Sequence, residues 1–290
     1  MGGTATIVLV GASERLLEST TRLVLRCEEL WSRFIPTSDV SALNWSEGAA
    51  VVVDALTARL LAAMRDGMQL TGGDYDPTLL PLLLQTGYTT SAVDPTRVTT
   101  LPDSALAPGR LSDAVIDGMT VTLPCGTTVD PGGIGKGLAA DLACEFAIAG
   151  GAWGVMVELG GDIVVAGSAP EGDSWRLGVE NPFDTSRYSA YVRLGRGALV
   201  TSSQRKRRFD TAGQRRHHLL DPRAGGSART AVQTVSVIAT TGARAEALTK
   251  PGFLRDTADY LAWLPEMGAA GLVIDESGLA LASGNWERYA

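Results

Sequence analysis

The sequence predicts an α+β protein whose mixed, largely antiparallel sheets are flanked by helices. Three observations carry that expectation. Apolar residues recur at helical spacing towards both ends of the chain. Short strand-like runs fill residues 169–230. An Asp117-Gly118 pair sits between two β-like runs, where a tight hairpin turn is favoured. No clean linker and no internal repeat divide the 290 residues, so one compact unit over 1–290, with two intimately joined lobes, is expected.

The chain opens with a strand at 4–10. Residues 14–34 follow as a helix, with Leu16, Leu17, Leu23, Leu30 and Trp31 among its apolar positions. A turn at Pro36-Thr37-Ser38-Asp39 leads towards a second amphipathic helix at 52–70, built on Leu56, Leu60, Leu61 and Met64. Gly72-Gly73-Asp74-Tyr75-Asp76-Pro77 stops that helix, and Pro77 opens another short one. Runs at 114–116 and 119–123 make the hairpin. A helix at 137–149 and a strand at 154–166, broken by Gly160-Gly161-Asp162, come next. Strands at 175–180, 188–194, 197–201, 217–220 and 232–239 follow. Helices at 242–250 and 255–263 and strands at 271–274 and 279–281 close the chain.

Composition narrows the function classes. Hydrophobic residues make up 45% and charged residues 20%, an ordinary globular balance. A net charge of -7 argues against a nucleic-acid partner, which needs a basic face. The one basic run, Arg205-Lys206-Arg207-Arg208, reads by itself as a solvated loop. Cys27, Cys125 and Cys144 have neither zinc spacing nor a disulfide framework, which suits a reducing compartment. No eighteen apolar residues run together, so no membrane span is expected. The start has no basic region followed by a cleavable apolar stretch, and a cytoplasmic location is the expectation.

The most informative stretch is Asp130-Pro131-Gly132-Gly133-Ile134-Gly135-Lys136-Gly137, running into a helix. Glycines let backbone N–H groups approach an anion, the helix start adds partial positive charge, and Lys136 adds a full one. A phosphate is the natural guest. A P-loop is excluded, because Asp130 stands where its first glycine belongs and Gly137 replaces its hydroxyl residue. A Rossmann turn is met weakly by Gly135, Gly137 and Ala140, but Asp130-Pro131 interrupts the preceding strand. A glycine-rich cap before a core helix explains the glycines, though not the flanking Asp and Lys. In the second cluster, His217-His218-Leu219-Leu220-Asp221-Pro222-Arg223, an imidazole, a carboxylate and a guanidinium converge for proton transfer or phosphate binding. Asp221-Pro222 reads equally well as a turn in which Asp caps its own backbone. The Asp74-Tyr75-Asp76 loop, the Gly160-Gly161-Asp162 turn and the segment around Phe34 are weaker signals, each with a plain structural reading.

In order along the chain, these elements resemble the FAD:protein FMN transferase family, the ApbE-like flavin transferases. Met1-Gly2-Gly3-Thr4 looks like the family's opening Met-Gly-Thr with one extra glycine. SRFIPTSDVSALN, GGDYDPT, DPGGIGKGLAAD, ELGGDI, ALVTSSQRKRRF and HHLLDPRAGGSA are similar to six further family elements. The resemblance implies an ApbE-like, T-fold-related architecture. It implies Met1 and Phe34 beside the isoalloxazine, and Asp74, Tyr75 and Asp76 on other parts of the flavin nucleotide. It implies Asp130 and Lys136 on FAD, the Gly133 carbonyl on Mg2+, and His218 as the functional histidine. The family's Ala-Asp-Ala-x-x-Thr metal element is represented by Ala245-Glu246-Ala247-Leu248-Thr249-Lys250. Glu246 replaces the Asp and stays an oxygen donor. Lys250 falls where Thr is expected, and Thr249 comes one position early.

The resemblance therefore implies Mg2+-dependent transfer of FMN from FAD to a Thr or Ser hydroxyl of an acceptor protein, with release of AMP. Glu246, Thr249 and Gly133 are its metal candidates. His218, Asp221 and Lys250 are its catalytic candidates. Water in place of the hydroxyl would make an FAD pyrophosphatase, and loss of the metal to Lys250 a non-catalytic FAD-binding protein. Asp74, where the family has Ala, adds negative charge near a phosphate or ribose, or offers one more metal ligand.

Overall fold

In the computed structural model, which describes residues 3–91, 93–205, 208–211 and 214–290, a seven-stranded antiparallel sheet separates two apolar layers. The chain begins with β1 (Ala5–Val10) and α1 (Glu14–Trp31). Ser13 caps α1, and Thr20, Val24, Cys27, Leu30 and Trp31 form one buried face at three- and four-residue spacing. The helix stops at Trp31, three residues short of the predicted end. The following loop turns on itself instead, with the Ser38 hydroxyl donating to the Ser32 carbonyl at 2.8 Å and the Ser41 hydroxyl to Ile35 at 2.8 Å. Ser38 also caps a short helix that the sequence reading leaves as turn, α2 (Asp39–Asn44).

Next come β2 (Ala50–Val52) and α3 (Ala55–Thr71). Asp54 caps α3, so residues 52–54 belong to strand and cap, not helix. The expected helix at Pro77 begins at Leu80, as α4 (Leu80–Gln85), because Asp76 first turns the chain by accepting from both the N–H and hydroxyl of Thr78. The Asp117-Gly118 hairpin joins β3 (Val115–Asp117) to β4 (Thr120–Thr122), and β2 adds to it in the order β2-β4-β3.

The central helix is α5 (Gly135–Ala149), which packs on α1 and on two strands joined by the Gly160-Gly161 turn, β5 (Gly154–Leu159) and β6 (Asp162–Gly167). Then follow β7 (Trp175–Glu180), β8 (Tyr188–Leu194) and β9 (Gly197–Ser203). The strand expected at 217–220 is split between two ribbons. One pairs β10 (Arg208–Thr211) with β11 (Gln214–His217), the other β12 (Leu220–Asp221) with β13 (Gly226–Ser227). Finally β14 (Val232–Ala239), α6 (Gly242–Leu248), α7 (Thr257–Trp263), β15 (Ala270–Asp275) and β16 (Ala280–Ala282) complete the order.

The large sheet runs β1-β5-β6-β9-β14-β15-β16. Its side chains alternate with the period of two that a pleated strand imposes. Val155, Val157, Val164, Val200, Val235 and Val237 face the helices. Val165, Leu199, Ile238 and Leu272 face the β7–β8 hairpin and Trp286. Both faces are covered, and the β5–β6 turn, the start of α5 and the end of α6 meet at one edge of this sandwich.

Candidate active site

The N-terminus of α5 has no cap of its own: Ile134 occupies the cap position and supplies no side-chain acceptor. Helix α6 makes up the deficit. Its Glu246 carboxylate, 1% exposed, accepts from the Gly137 N–H at 2.8 Å. The favour is returned one turn along. Asp141 of α5 accepts from the Gly242 and Ala243 N–H groups at 2.6 and 2.9 Å, capping α6. Each helix thus supplies an acceptor to the other's first turn, in α6 beside its own cap at Thr241. The arrangement needs the two helix starts to touch. A Cβ on Gly137 would lie 2.3 Å from the Gly242 carbonyl, so only glycine permits the crossing.

Two lysines stand beside this junction. Lys136 is paired with Asp162 from the β5–β6 turn and, at 3.1 Å, with Glu246. Lys250 donates to the Glu246 carbonyl at 3.0 Å, the Thr249 hydroxyl at 3.1 Å and the Ser202 hydroxyl at 3.2 Å. Ser202 and Thr249 are themselves hydrogen bonded at 2.7 Å. A Cβ on Gly133 would come within 3.3 Å of Lys250 Cε and 2.7 Å of the Tyr75 ring, which places the glycine turn directly against both side chains.

Two cavities open here and share Tyr88, Asp130 and Gly132. The larger, about 320 Å³, is lined by Trp31, Phe34, Val24, Leu25 and the start of β1, with Lys136 at its inner end. The smaller, about 90 Å³, gathers Asp74, Tyr75, Asp76, Gly133, His218 and Lys250. Arg33 braces their common wall. It pairs with Asp130 at 3.3 Å, donates to Thr99 at 2.7 Å and to the Tyr88 carbonyl at 3.1 Å, and lies over the Phe34 ring at 4.1 Å. Burial, and then the negative charge of Glu246, Asp130 and Asp76, hold the Tyr75 hydroxyl well above its ordinary pKa, so it is a neutral donor. That hydroxyl is buried and has no hydrogen-bond partner among the described residues, so a polar group entering the smaller cavity would satisfy it.

The predicted residues divide into three groups. Phe34, Tyr75, Asp76, Asp130, Gly133, Lys136, His218 and Lys250 line one or other cavity. Asp74 borders the smaller one, but Arg223 and Arg255 take its two oxygens, each at 2.6 Å. It pins the Tyr75 loop to two other segments and is not available as a further metal ligand. Asp221 lines neither cavity. Its carboxylate accepts from the Arg223 N–H at 2.9 Å, the turn that Asp221-Pro222 also allows. Of the two histidines, His217 is buried with its ring 3.1 Å from the Ala228 carbonyl, whereas His218 lines the smaller cavity. Met1, expected beside the isoalloxazine, lies outside the described residues, as do Lys206 and Arg207 of the basic run. Arg33, Tyr88, Trp31, Asp141 and Asp162 escaped the sequence reading as site residues.

A hard divalent ion asks for about six oxygens freely aimed at one point. The donor set does not fit one as it stands. Both Glu246 oxygens are committed, to Lys136 and to the Gly137 N–H. The Thr249 hydroxyl donates to the Glu246 carbonyl at 2.6 Å, and the Lys250 ammonium occupies the point on which the remaining oxygens converge. Among the described residues no group of three or more His, Cys, Asp or Glu side chains gathers to hold a metal.

An α+β sandwich that presents a glycine turn and helix start to a divided, aromatic-walled cavity is the architecture of a nucleotide-handling protein. Comparison sharpens this: the ApbE family matches residues 1–273, and the chain belongs to that family. It is similar to an FAD:protein FMN transferase of Treponema pallidum, 31% identical over 255 residues, covering 82% of this chain and 70% of the relative. A Vibrio cholerae protein of the same description is 27% identical over 242 residues, covering 79% and 70%. The ApbE protein crystal structure from Thermotoga maritima superposes with a TM-score of 0.84 at 28% identity, covering 98% and 94%. The apo Pseudomonas stutzeri flavinyl transferase ApbE shares the fold, with a TM-score of 0.78 at 23% identity over 98% and 92%. Among the described residues no helix is long and apolar enough to cross a membrane.

Proposed function

We propose that this chain transfers FMN from FAD onto a Thr or Ser hydroxyl of an acceptor protein and releases AMP. The observation that carries the reading is the meeting, at Asp130 and Gly132 on the glycine turn that starts α5, of an aromatic cavity and a smaller one that holds Tyr75, Asp76, His218 and Lys250. The family relatives described as FAD:protein FMN transferases support the same substrate.

In this reading the isoalloxazine enters the larger cavity beside Phe34, Trp31 and Tyr88, whose faces and edges suit a flat ring system. The diphosphate crosses residues 132–136, where backbone N–H groups and the start of α5 favour an anion. Arg33, Lys136 and Lys250 add fixed positive charge around it. Asp130 and Asp76 hold hydroxyls of the nucleotide, and the Tyr75 hydroxyl donates to an oxygen in the smaller cavity.

Phosphoryl transfer asks the protein mainly for position and charge. The acceptor's hydroxyl oxygen bonds to the FMN phosphorus as the bond from that phosphorus to the bridging oxygen breaks. The bridging oxygen leaves with AMP. His218, in the smaller cavity, takes the hydroxyl proton. No step is assigned to Mg2+, because the oxygens expected to bind it are engaged elsewhere.

Incubation with FAD and candidate acceptor proteins tests the proposal through AMP release and acceptor mass. The expected result is equal amounts of AMP and of acceptor carrying one FMN. AMP with free FMN and unmodified acceptor would mean hydrolysis, and tight FAD binding without AMP would mean a flavin-binding protein.

A further inference from the structure

Of the three oxygens around Lys250, two come from its own turn of chain and one from a distant strand. Ser202 lies on β9, the Glu246 carbonyl is in the last turn of α6, and Thr249 follows that helix. All three are uncharged, and all three lie 3.0–3.2 Å from one nitrogen. An ammonium has three protons, and these three oxygens lie within their reach. Lys250 is therefore fixed as a point charge, unlike a mobile surface lysine. Thr249 is fully buried, so the cage cannot shift without disturbing the core.

The Glu246 carboxylate turns away to Lys136 and the Gly137 N–H, and only its backbone carbonyl faces Lys250. Lys250 lines the smaller cavity beside Gly133, together with His218 and Tyr75, next to the glycine turn. Side-chain hydroxyl and backbone carbonyl oxygens gathered around a point are what a hard cation also seeks. Here the chain fills that point with its own side chain.

We propose that Lys250 is the resident cation of this site. Its caged ammonium supplies the positive charge beside the diphosphate, and no divalent ion binds at that position. The inference rests on the reading that a flavin dinucleotide lies across residues 132–136. It assigns Lys250 an electrostatic part in the reaction: stabilising negative charge on the leaving AMP phosphate as the bridging bond breaks, with the hydroxyl proton still going to His218.

The test combines Mn2+ binding, followed by electron paramagnetic resonance, with AMP release from FAD before and after chelation. It compares the intact chain with Lys250→Thr, which empties the cage, and Lys250→Met, which keeps the length but not the charge. The intact chain is expected to bind no stoichiometric Mn2+, with or without FAD, and to keep its AMP release within about twofold under chelator. Lys250→Thr is expected to bind about one Mn2+, and its AMP release to become at least tenfold dependent on it. Lys250→Met is expected to lose at least about tenfold in AMP release, with no rescue by Mn2+. Stoichiometric Mn2+ on the intact chain would overturn the proposal, and so would full chelator-resistant activity in Lys250→Met. Thermal melting establishes that each variant is folded, and Lys250→Arg, which retains a charge, is expected to recover part of the Lys250→Met loss. The Mn2+ measurement stands even if no AMP forms. Absence of AMP from every protein would then defeat the transfer reading alone, while the binding pattern would still decide the cation site.

Discussion

The two cavities share a wall and differ in size and in the residues that frame them. The larger is bounded by aromatic and aliphatic side chains from α1 and β1, elements held by ordinary helix and sheet packing. The smaller is lined by Leu79, Leu83, Leu219 and Phe253 together with charged residues that are tied in place, Asp74 by two arginines and Lys250 in its oxygen cage. The difference teaches how the work divides. Shape and apolar area hold a ring, whereas charges fixed in place act on a phosphate.

Substitutions should respect that division. His218→Ala has the largest expected effect, an AMP-release rate lower by about 10²–10⁴-fold with FAD affinity nearly unchanged, as measured by single-turnover kinetics beside a binding titration. A full-rate variant would remove the histidine from the chemistry. Glu246→Ala uncaps α5 and strips Lys136 of a buried partner, which should lower unfolding free energy by about 3–5 kcal/mol in urea. A smaller loss would show that Asp162 alone suffices for Lys136. Phe34→Ala acts on the other cavity. Its FAD dissociation constant should rise about tenfold while turnover at saturating FAD stays near normal.

The fourth prediction concerns pH. Burial lifts the Asp141 carboxyl to about 6, against the hydrogen bonds from Ala243 and Gly242 that favour its charged form. The folded chain holds this proton more tightly than the unfolded chain, whose carboxyl titrates near 4. The stability from this group is therefore complete below about pH 4 and falls as pH rises to about 6, by at most roughly 3 kcal/mol. Denaturation midpoints for Asp141→Asn should lack that decline. The smallest effect belongs to Asp221→Ala, which loses one turn hydrogen bond, about 1 kcal/mol, and leaves turnover unchanged.

The sequence displays the glycine turn, the second histidine and the hairpin at Gly118 because each is a local pattern. What it hides is long-range. Lys136 meets Asp162 across 26 positions and Glu246 across 110, and Asp141 meets Gly242 across 101. Such partners are set by how α5 and α6 cross, which no spacing along the chain expresses. One signal was available: Asp141 is the one charged residue on the buried, otherwise apolar side of α5, and a buried carboxylate needs donors from elsewhere. Helix α2 was missed because the capping residues Ser38 and Asp39 also favour turns. Asp221 is ambiguous in the sequence for the complementary reason: a carboxylate near a histidine suits chemistry, and it also suits the turn in which it accepts from the N–H two residues on.

A crystal structure of the chain with FAD bound tests the central claim most directly. The account predicts the diphosphate on residues 132–136, within about 3 Å of their backbone N–H groups, with the isoalloxazine between Phe34 and the start of β1. A diphosphate lying elsewhere, with that turn empty, would contradict it.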